Sequence, residues 1–294
     1  MSLPARFRRA RIGLVGCGDV GTRILTQHPG GSGPRIIPIG RRSGWNLDVA
    51  ADRQRVSRLL THWIILVPPS DAHPSQDTRS RLLAASARQS RQVGSIGAAS
   101  SRRPRGVYIS TTGVYGDHQG AVVRETSACR TTLPRSLRRL HAERIWRSLG
   151  FHRLRVPGIT GPDRLPFERI AAAAPALVPQ DDVYTNHIDA NDLARICWVA
   201  LWRGRPGRAT NTVMEGDLKM GDYLDAVALA AGLPRVPRIS RAELDEAVRS
   251  GRVSPMMASF MRDSRRVRSS RLQADLRMTL QTPCLEALLK KALG

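Results

Sequence analysis

Arg11-Ile12-Gly13-Leu14-Val15-Gly16-Cys17-Gly18-Asp19-Val20-Gly21 is the stretch on which the reading of this chain turns. Residues 11–16 have the short apolar run of a buried strand, and residues 19–27 the pattern of a helix. Between them stands Gly16-Cys17-Gly18-Asp19-Val20-Gly21, with glycine at the first, third and sixth places. In that spacing Gly16 turns the chain, Gly18 lets the backbone approach a pyrophosphate, and Gly21 lets helix and sheet pack closely. The helix start, at Asp19 and Val20, then aims unpaired N–H groups at the anion. The same spacing also occurs as a plain tight turn, and that alternative is open at this point.

Working outward, residues 35–39 read as a second strand ending at Gly40-Arg41-Arg42. Folds specific for NAD place an acid there to hold the ribose 2′-OH, and this chain has none. Two guanidiniums at that place, Arg41 and Arg42, suit the 2′-phosphate of NADP through charge-assisted bonds. Two more surface arginines is the alternative reading. Residues 63–67 form an apolar strand stopped by Pro68-Pro69-Ser70, with a helix over 78–87. The span from Ile39 to Trp63 is too short for a helix-strand-helix crossover, so a third strand is trimmed or absent. Residues 88–105 lack apolar periodicity and read as a poorly ordered loop or insertion.

A strand over 106–110 follows, leading into Thr111-Thr112-Gly113-Val114-Tyr115-Gly116-Asp117, then a helix over 133–149 and a strand over 152–156. Beyond Pro157 the composition shifts to helices near 168–174, 190–202, 221–231 and 242–250. Alternating strands and helices of this kind make an α/β protein, a Rossmann-type doubly wound parallel sheet. The expected division is a dinucleotide-binding domain over 1–157 and a smaller, mainly helical substrate-binding lobe over 158–294.

Composition narrows the function classes. The 294 residues are 41% apolar, enough for a core, and carry a formal charge of +23. The basic residues are nearly all arginine, with Lys219, Lys290 and Lys291 the only lysines, and they are spread through every segment. A dedicated nucleic-acid binder gathers its charge in a patch and adds stacking aromatics, which are 4% here. No specific nucleic-acid partner is expected. Cys17, Cys129, Cys197 and Cys284 stand far apart with no histidine at ligand spacing, which points to reduced thiols and to no metal site. The apolar run from Ile12 to Val15 is too short for a signal-peptide core or a membrane span, so a cytoplasmic protein without membrane partners is expected.

Three further stretches carry a family likeness: Ile109-Ser110-Thr111-Thr112-Gly113-Val114-Tyr115-Gly116, Arg155-Val156-Pro157-Gly158-Ile159-Thr160-Gly161-Pro162, and Asn186-His187-Ile188-Asp189-Ala190-Asn191-Asp192-Leu193-Ala194. With the glycine turn, they make the chain from Ile12 to Pro283 resemble an extended short-chain dehydrogenase/reductase of the NAD-dependent epimerase/dehydratase family, in an atypical branch. The resemblance implies that Thr111 stands at the catalytic Ser/Thr position with Thr112 beside it, its hydroxyl bonding the substrate carbonyl or alcohol. A strand-end cap is the structural alternative for Thr111. It also implies that Pro157, Gly158 and Ile159 pass the nicotinamide, and that Pro68 and Pro69 border the ribose and phosphates.

One departure from the family is serious. Its Tyr-x-x-x-Lys is replaced by Arg135-x-x-x-Arg139. Arginine stays charged and cannot exchange the tyrosine's proton; Arg139 can still take the lysine's place at the nicotinamide ribose and is counted with the catalytic candidates. Tyr115, Tyr184, His141 and His187 are the candidates for a substitute acid or base, each with a structural role as its alternative. Asp189 and Asp192 read as helix caps. Arg265, Arg266, Arg268 and Arg271 read as a phosphate grip or a solvated basic face.

The reading that follows is an NAD(P)-dependent oxidoreductase or epimerase/dehydratase-like protein acting on a small molecule, nucleotide sugars included. Its cofactor is NADP, with NAD open, and so is assembly as a homodimer. The alternative is a catalytically impaired NADP-binding sensor or regulatory protein.

Overall fold

Strand β1 (Arg11–Val15) is buried from Ile12 to Val15, as a strand covered on both faces must be. The computed structural model describes residues 10–28, 33–93 and 105–294. Along the chain follow α1 (Asp19–Gln27), β2 (Arg35–Ile39), α2 (Ala50–Leu59), β3 (His62–Ile65), α3 (Thr78–Val93), β4 (Arg105–Thr111), α4 (Pro134–Ser148) and β5 (His152–Val156). After them come α5 (Phe167–Ala171), α6 (Ala190–Arg203), β6 (Ala209–Asn211), α7 (Met220–Ala230), α8 (Arg241–Arg249), α9 (Pro255–Phe260), α10 (Leu272–Leu276) and α11 (Leu285–Leu293).

The six strands form one parallel sheet in the order β6-β5-β4-β3-β1-β2. Only α2 separates β2 from β3, and among the described residues no strand lies beyond β2. The strand order therefore reverses at β1, which pairs with β2 on one side and β3 on the other. Such a switch point opens a crevice at the carboxyl ends of the strands.

Alternation along the strands divides the core into two layers. Ile12, Leu14, Ile64, Val107 and Leu154 face α1 and α6, whereas Val15, Trp63, Ile65 and Tyr108 face the side of α2, α3 and α4. Gly106 in β4 makes room on that side, since a Cβ there would fall 2.1 Å from the Phe151 ring.

The division expected at residue 157 does not part the sheet. β6 extends it beyond β5, and α6 packs on α1, β3 and β4, so both belong to the sheet's own layers. The helical lobe consists instead of α5, α7, α8 and α9 around a short parallel pair, Ala176–Leu177 with Arg238–Ile239. The loop expected over 88–105 is also corrected in part. α3 runs on to Val93 and Arg105 opens β4, while residues 94–104 lie outside the described residues. Among the described residues no helix is long and apolar enough to cross a membrane.

Charge is buried where α4 meets the sheet. Glu143, 1% exposed, accepts hydrogen bonds from Arg155 Nε at 3.0 Å and Nη2 at 2.9 Å, from Arg153 Nη1 at 3.0 Å and from Ser110 Oγ at 2.6 Å. Burial alone would raise the Glu143 pKa; the Arg155 bonds, both arginine charges and Ser110 outweigh it and hold the carboxyl below its ordinary range. This network fixes α4 against β4 and β5, and so fixes the floor of the crevice.

Candidate functional site

Register brings the strand ends to one edge. Val15 stands beside Ile39 and Ile65, Ile65 beside Tyr108, and Thr111 beside Val156. The segments leaving those strands, from Gly16, Gly40, Pro68, Thr111 and Pro157, therefore share the mouth of the crevice.

The glycines of the turn differ in their surroundings. Gly16 has φ +92°, its N–H donates to Ile39 O at 2.8 Å, and a Cβ would lie 2.6 Å from Val67 N. Gly18 caps α1 without a side-chain bond, and a Cβ there would meet nothing within 4 Å. Gly21 packs α1 onto the exit of β3, its would-be Cβ 3.3 Å from Leu66 Cδ1. What results is an uncapped helix N-terminus facing open space at the switch point, a cradle suited to a pyrophosphate.

Two neighbours of the cradle are engaged elsewhere. Val20 packs half-buried against the core. The Asp19 carboxylate turns to Arg23 Nε at 3.1 Å and Arg164 Nη1 at 2.9 Å. Arg23 also bonds Asp163 and Asn191, clamping α1 to the turn after the 158–160 strand. Sequence reading missed this clamp, because its members lie more than a hundred residues apart with no local signal.

At the end of β2, Arg41 pairs with Asp48 at 3.1 Å. Asp48 also faces Arg79 Nε at 3.6 Å, and Arg79 donates to Pro68 O at 3.0 Å. Arg42 is exposed and makes no ion pair among the described residues. This leaves one guanidinium free and one held by an exposed acid, an arrangement a phosphate can rearrange at little cost.

At the end of β4, Thr111 Oγ1 is half-buried and accepts from Gly113 N at 3.1 Å. The cap foreseen as its structural alternative is present, and the hydroxyl proton is left to donate. Thr112 is buried. Arg135 and Arg139 part company. Arg139 donates to Ile109 O at 2.7 Å and reaches Tyr108 OH at 3.3 Å, so it fastens α4 to β4. Arg135 crosses to the lobe, donating to Ser259 Oγ at 2.6 Å and lying 4.4 Å from the centre of the Phe260 ring.

No family model matches the chain, and no curated protein matches it. Solved structures do. A conserved protein of unknown function from Silicibacter pomeroyi shares 25% identity at a TM-score of 0.74, over 96% of this chain and 98% of that one. RMD from Pseudomonas aeruginosa, complexed with NADPH, gives 16% identity and a TM-score of 0.68 over 98% and 97% of the two chains. UDP-N-acetylglucosamine 4-epimerase from Bacillus cereus gives 15% and 0.69 over 97% and 100%. This chain has the fold of the nucleotide-sugar epimerases and dehydratases. At such identities the fold is what is shared, and chemistry must be argued from the residues.

Within this epimerase/dehydratase fold, the substitute acids and bases prove to be built into the structure. Tyr115 is fully buried, donating to Asn211 Oδ1 at 2.8 Å and accepting from Arg155 at 3.1 Å. His141 Nδ1 accepts from Asp77 N at 3.0 Å. His187 stacks on Tyr223 at 4.1 Å, and burial pushes its pKa down to about 4. Tyr184 lies under Arg266, 5.2 Å from the guanidinium carbon. Asp189 caps α6 by accepting from Asn191 N and Asp192 N, while buried Asp192 accepts from Gln281 N and Thr282 N.

The late arginines act as internal ties. Arg265, Arg266 and Arg271 donate to the carbonyls of Gly116, Gly120 and Ala209, and Arg268 pairs with Asp217 at 2.6 Å. Pro157 and Ile159 are half-buried beside exposed Gly158, where a Cβ would lie 3.0 Å from His187 Cδ2.

Proposed function

We propose that this chain is an NADP-dependent oxidoreductase of the epimerase/dehydratase kind, acting on a small molecule held between the crevice and the C-terminal lobe. The observation that carries the reading is Gly18, open to space at the uncapped start of α1, with Arg41 and Arg42 at the neighbouring strand end. The amides of Asp19, Val20 and Gly21 hold the pyrophosphate, and Arg42, with Arg41 released from Asp48, bonds the 2′-phosphate. Pro68 and Pro69 border the ribose. Pro157, Gly158 and Ile159 form the wall for the nicotinamide, which when bound supplies the hydride chemistry. Thr111 donates its remaining proton to the substrate oxygen and orients it. The neighbours in fold support a nucleotide sugar among the substrates, since one is a UDP-N-acetylglucosamine 4-epimerase.

A specific observation favours a second reading, dinucleotide binding without turnover. Arg135, at the place where the family resemblance implies a proton-exchanging tyrosine, is engaged with Ser259 and Phe260 and cannot give up its charge. Calorimetric titration with NADPH, NADP, NADH and NAD at moderate salt, alongside an Arg41→Ala, Arg42→Ala double variant, tests the shared core of both. We expect NADPH to bind and the variant to lose about ten- to hundredfold, the weight of lost charge-assisted bonds. Absence of any dinucleotide binding overturns both readings. If a substrate screen then finds turnover that Thr111→Val abolishes, the first reading holds; binding with no turnover selects the second.

A further inference from the structure

A cavity of about 580 Å³ opens in the C-terminal lobe, away from the glycine turn. It lies between the end of α5, the following residues 172–175, and helices α8 and α9, and its size is that of small-molecule sites. Ile239, Ala247, Val253, Met257 and Met261 form the apolar part of its wall. Methionine side chains adapt to irregular ligands.

One cation reaches this cavity from the protein side. Arg169 on α5 is half-buried, with Nη2 donating to Pro175 O at 3.3 Å and Nη1 facing the Met220 thioether at 3.9 Å. Its Nε is fully buried with no acceptor, and it makes no ion pair among the described residues. Asp182, whose charge bears on it, is already bonded by Gly221 N and Val183 N at 2.8 Å each and lies 3.5 Å from Arg238. The other charges lining the cavity are exposed and committed. Glu243 closes the capping box with Ser240, Glu246 pairs with Arg249 at 2.8 Å, and Arg252 donates to Ser250 Oγ at 3.2 Å. A partly desolvated guanidinium without a counter-ion, set against an apolar wall, favours an anion that brings its own apolar body.

We propose that this cavity binds a small amphiphilic carboxylate, its carboxylate on Arg169 and its apolar chain against Met257 and Met261. The site is separate from the crevice. Met257 of α9 faces the cavity while Ser259 and Phe260 of the same helix hold Arg135. It therefore stands whether or not the dinucleotide reading does.

Octanoate is the probe, with 1-octanol as its neutral match and methyl-labelled methionine as the reporter, the signals assigned with Met257→Leu and Met261→Leu. Octanoate should move the Met257 and Met261 methyl signals saturably and bind about tenfold tighter than octanol, the weight of one charge-assisted contact. Arg169→Met should erase that preference and leave octanol binding as it was. In case Arg169→Met fails to fold, Ala172→Trp at the exposed rim is the second variant, and should block the octanoate shifts by filling the mouth. No saturable shift, shifts spread over all methionines, a carboxylate preference that survives Arg169→Met, or full binding in Ala172→Trp would each overturn the proposal.

Discussion

Gly16 and Gly18 sit two residues apart in one motif and do different work. At Gly16 the backbone has φ +92°, and a Cβ would press on the Val67 backbone, so the residue is needed for the fold. At Gly18 a Cβ would meet only open space, so the residue is needed for whatever approaches from outside. Gly16→Ala should therefore lower stability by roughly 1–3 kcal/mol. Gly18→Val should leave urea unfolding unchanged while weakening NADPH binding at least about tenfold, the cost of one displaced phosphate contact. Equal losses of stability in both variants would remove the functional assignment of Gly18.

Elements show which relationships a sequence can carry. β1, α1, β2 and α4 were legible because their signals are local: apolar runs, a glycine spacing and helical periodicity. The shortened crossover was legible too, since twenty-odd residues cannot hold a helix, a strand and a second helix. The place of β6 was not, because Ala209-Thr210-Asn211 has no apolar alternation and joins the sheet only through its register with β5. For the same reason the boundary expected at 157 takes no account of this strand. In the candidate site, the cradle glycines and Arg41–Arg42 are proposed from spacing, whereas Ser259 at Arg135 and Arg164 at Asp19 lie on elements over a hundred residues away. The Glu143 network joins three elements across shorter separations, and it can be tested as an element contact. Glu143→Gln leaves Arg153 and Arg155 buried beside a neutral group, which should cost about 3–5 kcal/mol by denaturant unfolding. A loss under about 1 kcal/mol, the weight of an exposed ion pair, would mean that α4 is held by apolar packing alone.

For the whole molecule, acid stability separates two sources of destabilisation that a chain of formal charge +23 combines. One is general repulsion, which grows as carboxylates and histidines take up protons. The other is local. His152, 2% exposed on β5, is held neutral, with Nδ1–H donating to Arg205 O at 3.1 Å and Nε2 accepting from Thr210 Oγ1 at 3.0 Å. Burial lowers its pKa to about 4 from an ordinary 6.5. Between those values the unfolded chain binds a proton that the native state refuses, so stability is full above pH 6.5 and falls as pH drops toward 4. At the lower end the loss from this one group is on the order of 3 kcal/mol. Glu143, with its pKa held down, adds a further loss as pH falls below the ordinary carboxylate range. Salt distinguishes the sources, because screening weakens repulsion among exposed charges and leaves a buried imidazole almost untouched. We expect urea-unfolding free energies measured from pH 8 to pH 4 to keep most of their decline in 0.5 M salt, and His152→Gln to lessen the part between pH 6.5 and 4, with His62 and His187, which burial also lowers to about 4, supplying the rest. A decline that salt removes, with the variant parallel to the parent, would assign acid sensitivity to net charge instead of to the interior of β5.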